Sequence, residues 1–103
     1  MSTNAGTPNY QAPEILNGKY DGKKADIFSF GLTLYSILYD SIPFHDVSTA
    51  YAVQQKIQKG ERPLLIKHLL PKEMNKLIRS CWESNPKKRP DFNTVLGCFI
   101  LSL

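Results

Sequence analysis

The chain has 103 residues, which is room for one domain with one hydrophobic core and too little for two domains. With 42% hydrophobic and 21% charged residues, its composition is ordinary for a folded protein and excludes a chain that is disordered throughout. The net charge is only +4 and the basic residues look scattered along the sequence, whereas a nucleic-acid-binding protein needs a concentrated basic face, so we predict no nucleic-acid partner.

Cysteine content and hydropathy restrict the protein class further. Cys81 and Cys98 are too few for a disulfide framework or a four-ligand zinc site, so we interpret them as buried, reduced thiols. The N-terminus has no apolar signal region, and no apolar run approaches the ~20 residues of a membrane span. We expect a cytoplasmic protein with no membrane contact.

The N-terminal part of the sequence indicates a loop followed by a short helix. Residues 1–11 are dominated by Ser, Thr, Asn, Gly and Pro, which favour loops. Pro13 and Glu14 suit the first turn of a helix, because proline needs no hydrogen-bond acceptor there and a carboxylate is stabilised by the helix dipole. Asn17 and Gly18 then predict that this helix ends at once.

Residues 24–39, "KADIFSFGLTLYSILY", predict a central helix. The β-branched and aromatic content also allows a strand, but the length of the segment favours a helix. Apolar residues cover nearly the whole circumference, so this helix must be buried among other elements. Gly31 is unfavourable by roughly 1 kcal/mol in a helix interior, and close packing of another backbone is the obvious compensation.

Three amphipathic helices follow the central one. Ser48 or Thr49 caps the first, which runs to about Lys59 and is ended by Gly60. Pro71 opens the second, and its apolar residues have helical spacing up to Trp82. The third has Asp91 as its cap and an apolar face consisting of Phe92, Val95, Leu96, Phe99, Ile100 and Leu103. The sequence therefore predicts an all-α bundle of four longer helices and one short one.

Three stretches resemble a protein kinase domain: "GTPNYQAPEIL", "ADIFSFGLTLYSIL" and "LIRSCWESNPKKRPDF". They occur in the order and at the separations of the end of the activation segment, the central helix of the large lobe and the last two helices of that lobe. The resemblance runs from about Gly6 to Leu103, and we interpret residues 1–103 as a partial kinase domain. Phe28 departs from the pattern, since many relatives have tryptophan there.

The resemblance assigns structural roles to several residues. Ala12, Pro13 and Glu14 match the "APE" triplet, whose glutamate pairs in the family with an arginine that matches Arg89. The alternative is a helix-start carboxylate and a surface arginine. Asp26 matches an aspartate that accepts hydrogen bonds from the backbone of the catalytic loop, although it also suits a simple helix N-terminal charge. Two further positions that match structural residues of the family are Gly31 and Trp82.

The resemblance also implies a peptide-positioning loop formed by Gly6, Thr7 and Tyr10. In serine/threonine kinases the threonine that Thr7 matches approaches the substrate hydroxyl, and the alternative is a turn residue. "CWESNPKKRPDF" looks more like tyrosine kinases. This mixture resembles the tyrosine-kinase-like group, whose members mostly phosphorylate serine and threonine.

Motifs for phosphoryl transfer are missing from these 103 residues. There is no G-x-G-x-x-G, no H-R-D and no D-F-G, so we assign no catalytic, cofactor-binding or metal-binding residue and expect ATP and Mg²⁺ to bind only the complete parent domain. The chain is then a fragment of an active kinase, a non-catalytic helical interaction module or, with least support, a small DNA-binding protein. Its expected partners are protein substrates, the remainder of the domain, or a second copy meeting an uncovered apolar face of the central helix.

Overall fold

The computed structural model of the protein describes residues 10–101. This part of the chain forms four α-helices and two short 3₁₀ helices and contains no β-strand. The 3₁₀ helices span Pro13–Asn17 and Pro86–Lys88, and the α-helices are α1 (Gly22–Leu38), α2 (Ala50–Gln58), α3 (Lys72–Cys81) and α4 (Phe92–Leu101). The predicted all-α bundle is therefore confirmed.

Helix α1 is the centre of the bundle. Phe28 and Leu32 are completely buried, and Leu34 and Tyr35 are nearly so. The helix begins two residues earlier than the sequence predicted, because the carboxylate of Asp21 accepts a hydrogen bond from the Lys23 amide at 2.9 Å and caps it. Because α1 is buried on several faces, its apolar residues are distributed around the helix and are not confined to one stripe.

Helices α2 and α4 begin at the capping residues that the sequence predicted. The Thr49 hydroxyl accepts a hydrogen bond from the Ala52 amide at 3.1 Å, and the Asp91 carboxylate accepts one from the Thr94 amide at 2.8 Å. Gly60 has φ +90 after α2, a conformation that glycine adopts without strain. The second 3₁₀ helix was not predicted, because three residues are too few to give a periodic signal.

The packing of α4 differs from the sequence prediction. Its expected apolar face is mostly in solvent: Phe92, Leu96 and Ile100 are 64%, 45% and 59% exposed, while Val95 is buried. The cause is the position of α4 at the edge of the bundle, where it packs mainly on α3 and meets α1 through an edge-to-face contact between Phe99 and Phe30.

The uncovered apolar surface is thus not where we expected it. Among the apolar side chains of α1 that suggested an exposed face, Ile37 is the one in open solvent, and Phe30 and Leu38 are half-buried. The exposed stripe lies instead on α4. None of the helices in residues 10–101 is both long enough and apolar enough to cross a membrane.

Candidate functional site

Residues 10–14, which we call the anchored segment, are held against the bundle. The Ser29 hydroxyl of α1 donates a hydrogen bond to the Tyr10 carbonyl oxygen at 2.6 Å. Ala12 is 1% exposed and belongs to the core. Partial burial raises the pKa of the Tyr10 phenol. A polar side chain of a buried helix is therefore used to fix a loop.

Helix α2 holds the same segment from another side. The Gln54 and Gln58 side-chain amides, one helical turn apart, donate to the carbonyl oxygens of Gln11 and Pro13 at 3.4 and 2.8 Å. Backbone groups of a loop need such partners when no sheet or helix supplies them. The anchored segment is consequently fixed by two helices through its main chain.

Glu14 and Arg89 form the strongest attachment. Two parallel hydrogen bonds join the guanidinium to the carboxylate, at 2.6 Å from Nη1 to Oε2 and 2.8 Å from Nη2 to Oε1. The Arg89 side chain is 0% exposed and that of Glu14 10%. The ion pair that the family resemblance implied is present, and the alternative of a surface arginine is wrong.

All five N–H groups of the Arg89 guanidinium have an acceptor. Besides the two bonds to Glu14, Nη1 donates to the Lys24 carbonyl oxygen at 2.9 Å and Nη2 to that of Ser84 at 3.3 Å. Nε donates to the Glu83 carbonyl oxygen at 2.8 Å. Such complete pairing is what a buried cation requires. One side chain thus connects the anchored segment, α1 and the loop before the second 3₁₀ helix.

Phe28 lies beneath this network together with a second arginine. The Arg62 and Arg89 guanidinium carbons are 4.9 and 5.0 Å from the centre of its ring, within the range of cation–π contacts. Arg62 Nε donates to the Trp82 carbonyl oxygen at 2.8 Å. Burial, and then the nearby Arg89 charge, lower the pKa of Arg62 to about 10, although Glu83 opposes the shift.

Gly31 lies where α1 and α3 approach most closely. A Cβ atom at this position would be 2.7 Å from the Cβ of Cys81, which is shorter than the non-bonded contacts that Cβ atoms make in proteins. This contact is the close packing that the cost of glycine in a helix suggested. Cys81 is fully buried, and burial raises the pKa of its thiol to about 12. Cys98 is only half-buried, contrary to expectation.

Asp26 lies apart from the anchored segment. Its side chain is exposed at the rim of a pocket of about 390 Å³, which Lys24, Asp91 and Phe92 also line. Lys24 connects this pocket to the ion pair, since its Nζ donates to the Arg89 carbonyl oxygen at 2.6 Å.

Two of the residues expected to position a peptide, Gly6 and Thr7, lie outside the described residues. Trp82 is buried, with its ring centre 6.0 Å from that of Tyr35. Sequence reasoning missed the side chains of Ser29 and Arg62. A serine within a fully apolar helix was a signal for the first, whereas nothing in the sequence marked the second.

Metal-binding clusters and nucleotide-binding motifs are the remaining candidate sites. Residues 10–101 contain no group of three or more His, Cys, Asp or Glu side chains arranged to hold a metal ion. The sequence also lacks a glycine-rich phosphate-binding loop.

Comparison with known proteins gives consistent matches. A family model described as protein kinase domain matches residues 1–98. Mitogen-activated protein kinase kinase kinase 7 of Drosophila melanogaster is 37% identical over 97 residues, covering 94% of this chain and 14% of that protein. The human protein of the same name is 32% identical over 97 residues, covering 93% and 16%.

A plant relative has similar identity. Serine/threonine/tyrosine-protein kinase HT1 of Arabidopsis thaliana is 36% identical over 94 residues, covering 91% of this chain and 24% of that protein. The chain thus spans between 14% and 24% of the length of these three relatives.

Proposed function

Because this chain belongs to the protein kinase family, we propose that it forms the substrate-positioning part of a serine/threonine kinase domain of the tyrosine-kinase-like group. The parent activity is the ATP-dependent phosphorylation of serine and threonine in proteins. The observation that carries the proposal is the bidentate Glu14–Arg89 pair, which fixes Glu14 near the end of the sequence motif that also includes Gly6 and Thr7. The plant relative, whose printed name is serine/threonine/tyrosine-protein kinase, supports a substrate class that includes serine and threonine.

The contacts of the anchored segment explain how such a part works. Phosphoryl transfer depends mostly on holding the acceptor hydroxyl in line with the phosphate and on stabilising charge, so a loose substrate loop costs rate. Side chains of α1 and α2 donate hydrogen bonds to the main-chain carbonyl oxygens of residues 10–14 and, together with the Arg89 pair, hold this segment. In the proposal, this attachment keeps Gly6, Thr7 and Tyr10 at the peptide site, while Asp26 receives the backbone of the catalytic loop.

In this proposal, ATP and Mg²⁺ bind residues of the parent domain that lie outside this sequence. A second function, a non-catalytic helical interaction module of the cytoplasm, is favoured by one observation. The exposed apolar residues of α4, Phe92, Leu96 and Ile100, are spaced four residues apart and form one stripe, unlike single exposed apolar residues.

The test compares the native polypeptide with the 103-residue chain. We expect a larger native species, isolated with an antibody against residues 50–101, to transfer phosphate from ATP to serine or threonine of a generic protein substrate. The pure 103-residue chain should show no nucleotide-dependent transfer. Thr7→Ala in the active species should reduce the rate, whereas the matched change Thr3→Ala should not.

Two outcomes would contradict this assignment. Transfer by the 103-residue chain alone would show that catalytic groups were overlooked. A native species of 103 residues without activity would favour the interaction module.

A further inference from the structure

A basic groove lies on the surface away from the anchored segment. Binding of a ligand there does not depend on the proposed kinase function. It has a volume of about 390 Å³ between α3 and the turn that precedes it. Its lining residues are Leu65, Lys67, His68, Leu70, Lys72, Asn75, Lys76 and Arg79.

Three cations occupy one face of α3. Lys72, Lys76 and Arg79 lie within about 60° of one another around the axis, at about 100° per residue. All three are exposed, and Lys67 approaches from the opposite wall. Like charges one turn apart destabilise a helix slightly, so the fold gains nothing from this arrangement.

The groove contains the charge excess of the protein. Its four Lys and Arg are among 13 in the chain, so the other nine are equal in number to the nine Asp and Glu. No carboxylate lines it, although Glu73 is exposed elsewhere on α3. The two ion pairs within residues 10–101, Lys56–Glu61 and Glu14–Arg89, lie outside it. The basic residues that look scattered in sequence are therefore partly concentrated in space.

The floor of the groove is apolar and fixed. Leu65 and Leu70 are half-buried there. Asn75 is buried, accepts a hydrogen bond from the Tyr39 hydroxyl at 2.7 Å and donates one to the Ile66 carbonyl oxygen at 3.2 Å. These bonds hold the turn against α3, so the two walls keep their separation without a ligand.

We propose that this groove binds an acidic segment of a partner protein, with Asp or Glu side chains on the basic walls and an apolar side chain on the leucine floor. Lys72 and Arg79 are separated by about 10 Å along the helix, at 1.5 Å per residue, the length of about three extended residues. A protein ligand fits better than a nucleic acid, because no Phe, Tyr or Trp side chain lines the groove for base stacking.

Fluorescence anisotropy with the 103-residue chain tests the proposal. The probe is a labelled peptide with one leucine between two blocks of four glutamates, and the control peptide has glutamine in place of glutamate. We expect salt-dependent binding of the acidic peptide and none of the control. Replacing the central leucine by serine should weaken binding, because the apolar floor then loses its contact.

Charge-matched variants separate the groove from overall charge. Lys76→Glu should weaken binding about tenfold, whereas Lys88→Glu, an exposed lysine outside the groove, should change it less than about twofold. Thermal unfolding by circular dichroism checks that both variants fold. If Lys76→Glu does not fold, Arg79→Gln and Lys88→Gln make the same comparison.

Three results would overturn the proposal: no binding of the acidic peptide, equal weakening by both variants, or tighter binding of a single-stranded oligonucleotide of the same charge.

Discussion

Arg89 is a buried cation with an acceptor for each of its N–H groups. Its five hydrogen bonds go to four groups, the Glu14 carboxylate and the carbonyl oxygens of Lys24, Glu83 and Ser84. These groups belong to three parts of the chain that are far apart in sequence. Two of its acceptors, the Glu83 and Ser84 carbonyl oxygens, lie in the loop before the second 3₁₀ helix. Removing the guanidinium would leave the Glu14 carboxylate without a counter-charge in a mostly buried position.

We therefore expect Arg89→Ala to lower the free energy of unfolding by about 3–5 kcal/mol, as is typical when one partner of a buried pair is removed. This is a large fraction of the ~5–15 kcal/mol stability of an ordinary domain, so the variant unfolds or has a sharply lower midpoint. Denaturant unfolding followed by circular dichroism measures it. Lys87→Ala, an exposed neighbour, is the control and should have little effect. Small and equal effects of both substitutions would mean that the pair contributes nothing to the fold.

At the scale of the helices, the close contact between α1 and α3 depends on Gly31, which has no side chain. Gly31 allows the two helices to approach until a Cβ atom would lie 2.7 Å from Cys81 Cβ. Because the nearby atom is attached directly to the α3 backbone, a rotamer change cannot make room for it. A side chain at position 31 would therefore force α1 and α3 apart.

Gly31→Ala should destabilise the protein by about 1–3 kcal/mol through overpacking, despite the better helix propensity of alanine. Gly97→Ala is the matched control, because it lies within α4 and its Cβ would have no atom within 4 Å. There the propensity gain of up to ~1 kcal/mol should appear without a penalty. Thermal unfolding of both variants measures the difference. A stabilised Gly31→Ala protein would show that α1 and α3 tolerate a wider separation.

At the scale of the whole molecule, one surface of α4 is apolar and exposed. Phe92, Leu96 and Ile100 form this stripe. Monomeric proteins rarely expose contiguous apolar patches beyond roughly a few hundred Å². A second copy of the chain packed on this stripe would remove it from water.

We expect the 103-residue chain to associate with itself, in a concentration-dependent way, through this stripe. Sedimentation velocity across a concentration series measures association, and binding of a hydrophobic dye reports the exposed surface. Leu96→Gln should weaken both signals, whereas Asn93→Gln, an exposed polar position on the same helix, should not. A monomer at every concentration that binds no dye would show that the stripe is not an interaction surface.

The sequence by itself determined the helical architecture and most helix ends. Apolar residues all around residues 24–39 require a buried helix, and local capping by Thr49 and Asp91 sets helix starts. Such signals act over one or two turns, so they can be read without knowing the fold. The motifs also indicated the pairing of Glu14 with Arg89, although composition and periodicity alone gave no reason for it.

Only the tertiary structure decided which apolar faces are covered and where the charge excess lies. An amphipathic pattern shows that α4 has an apolar side but not whether another element reaches it, and Phe92 and Leu96 are exposed because none does in residues 10–101. Likewise, Lys67 and Arg79 are 12 residues apart in sequence and line one groove only because the turn folds back on α3. Both outcomes depend on distances between elements, which local sequence does not encode.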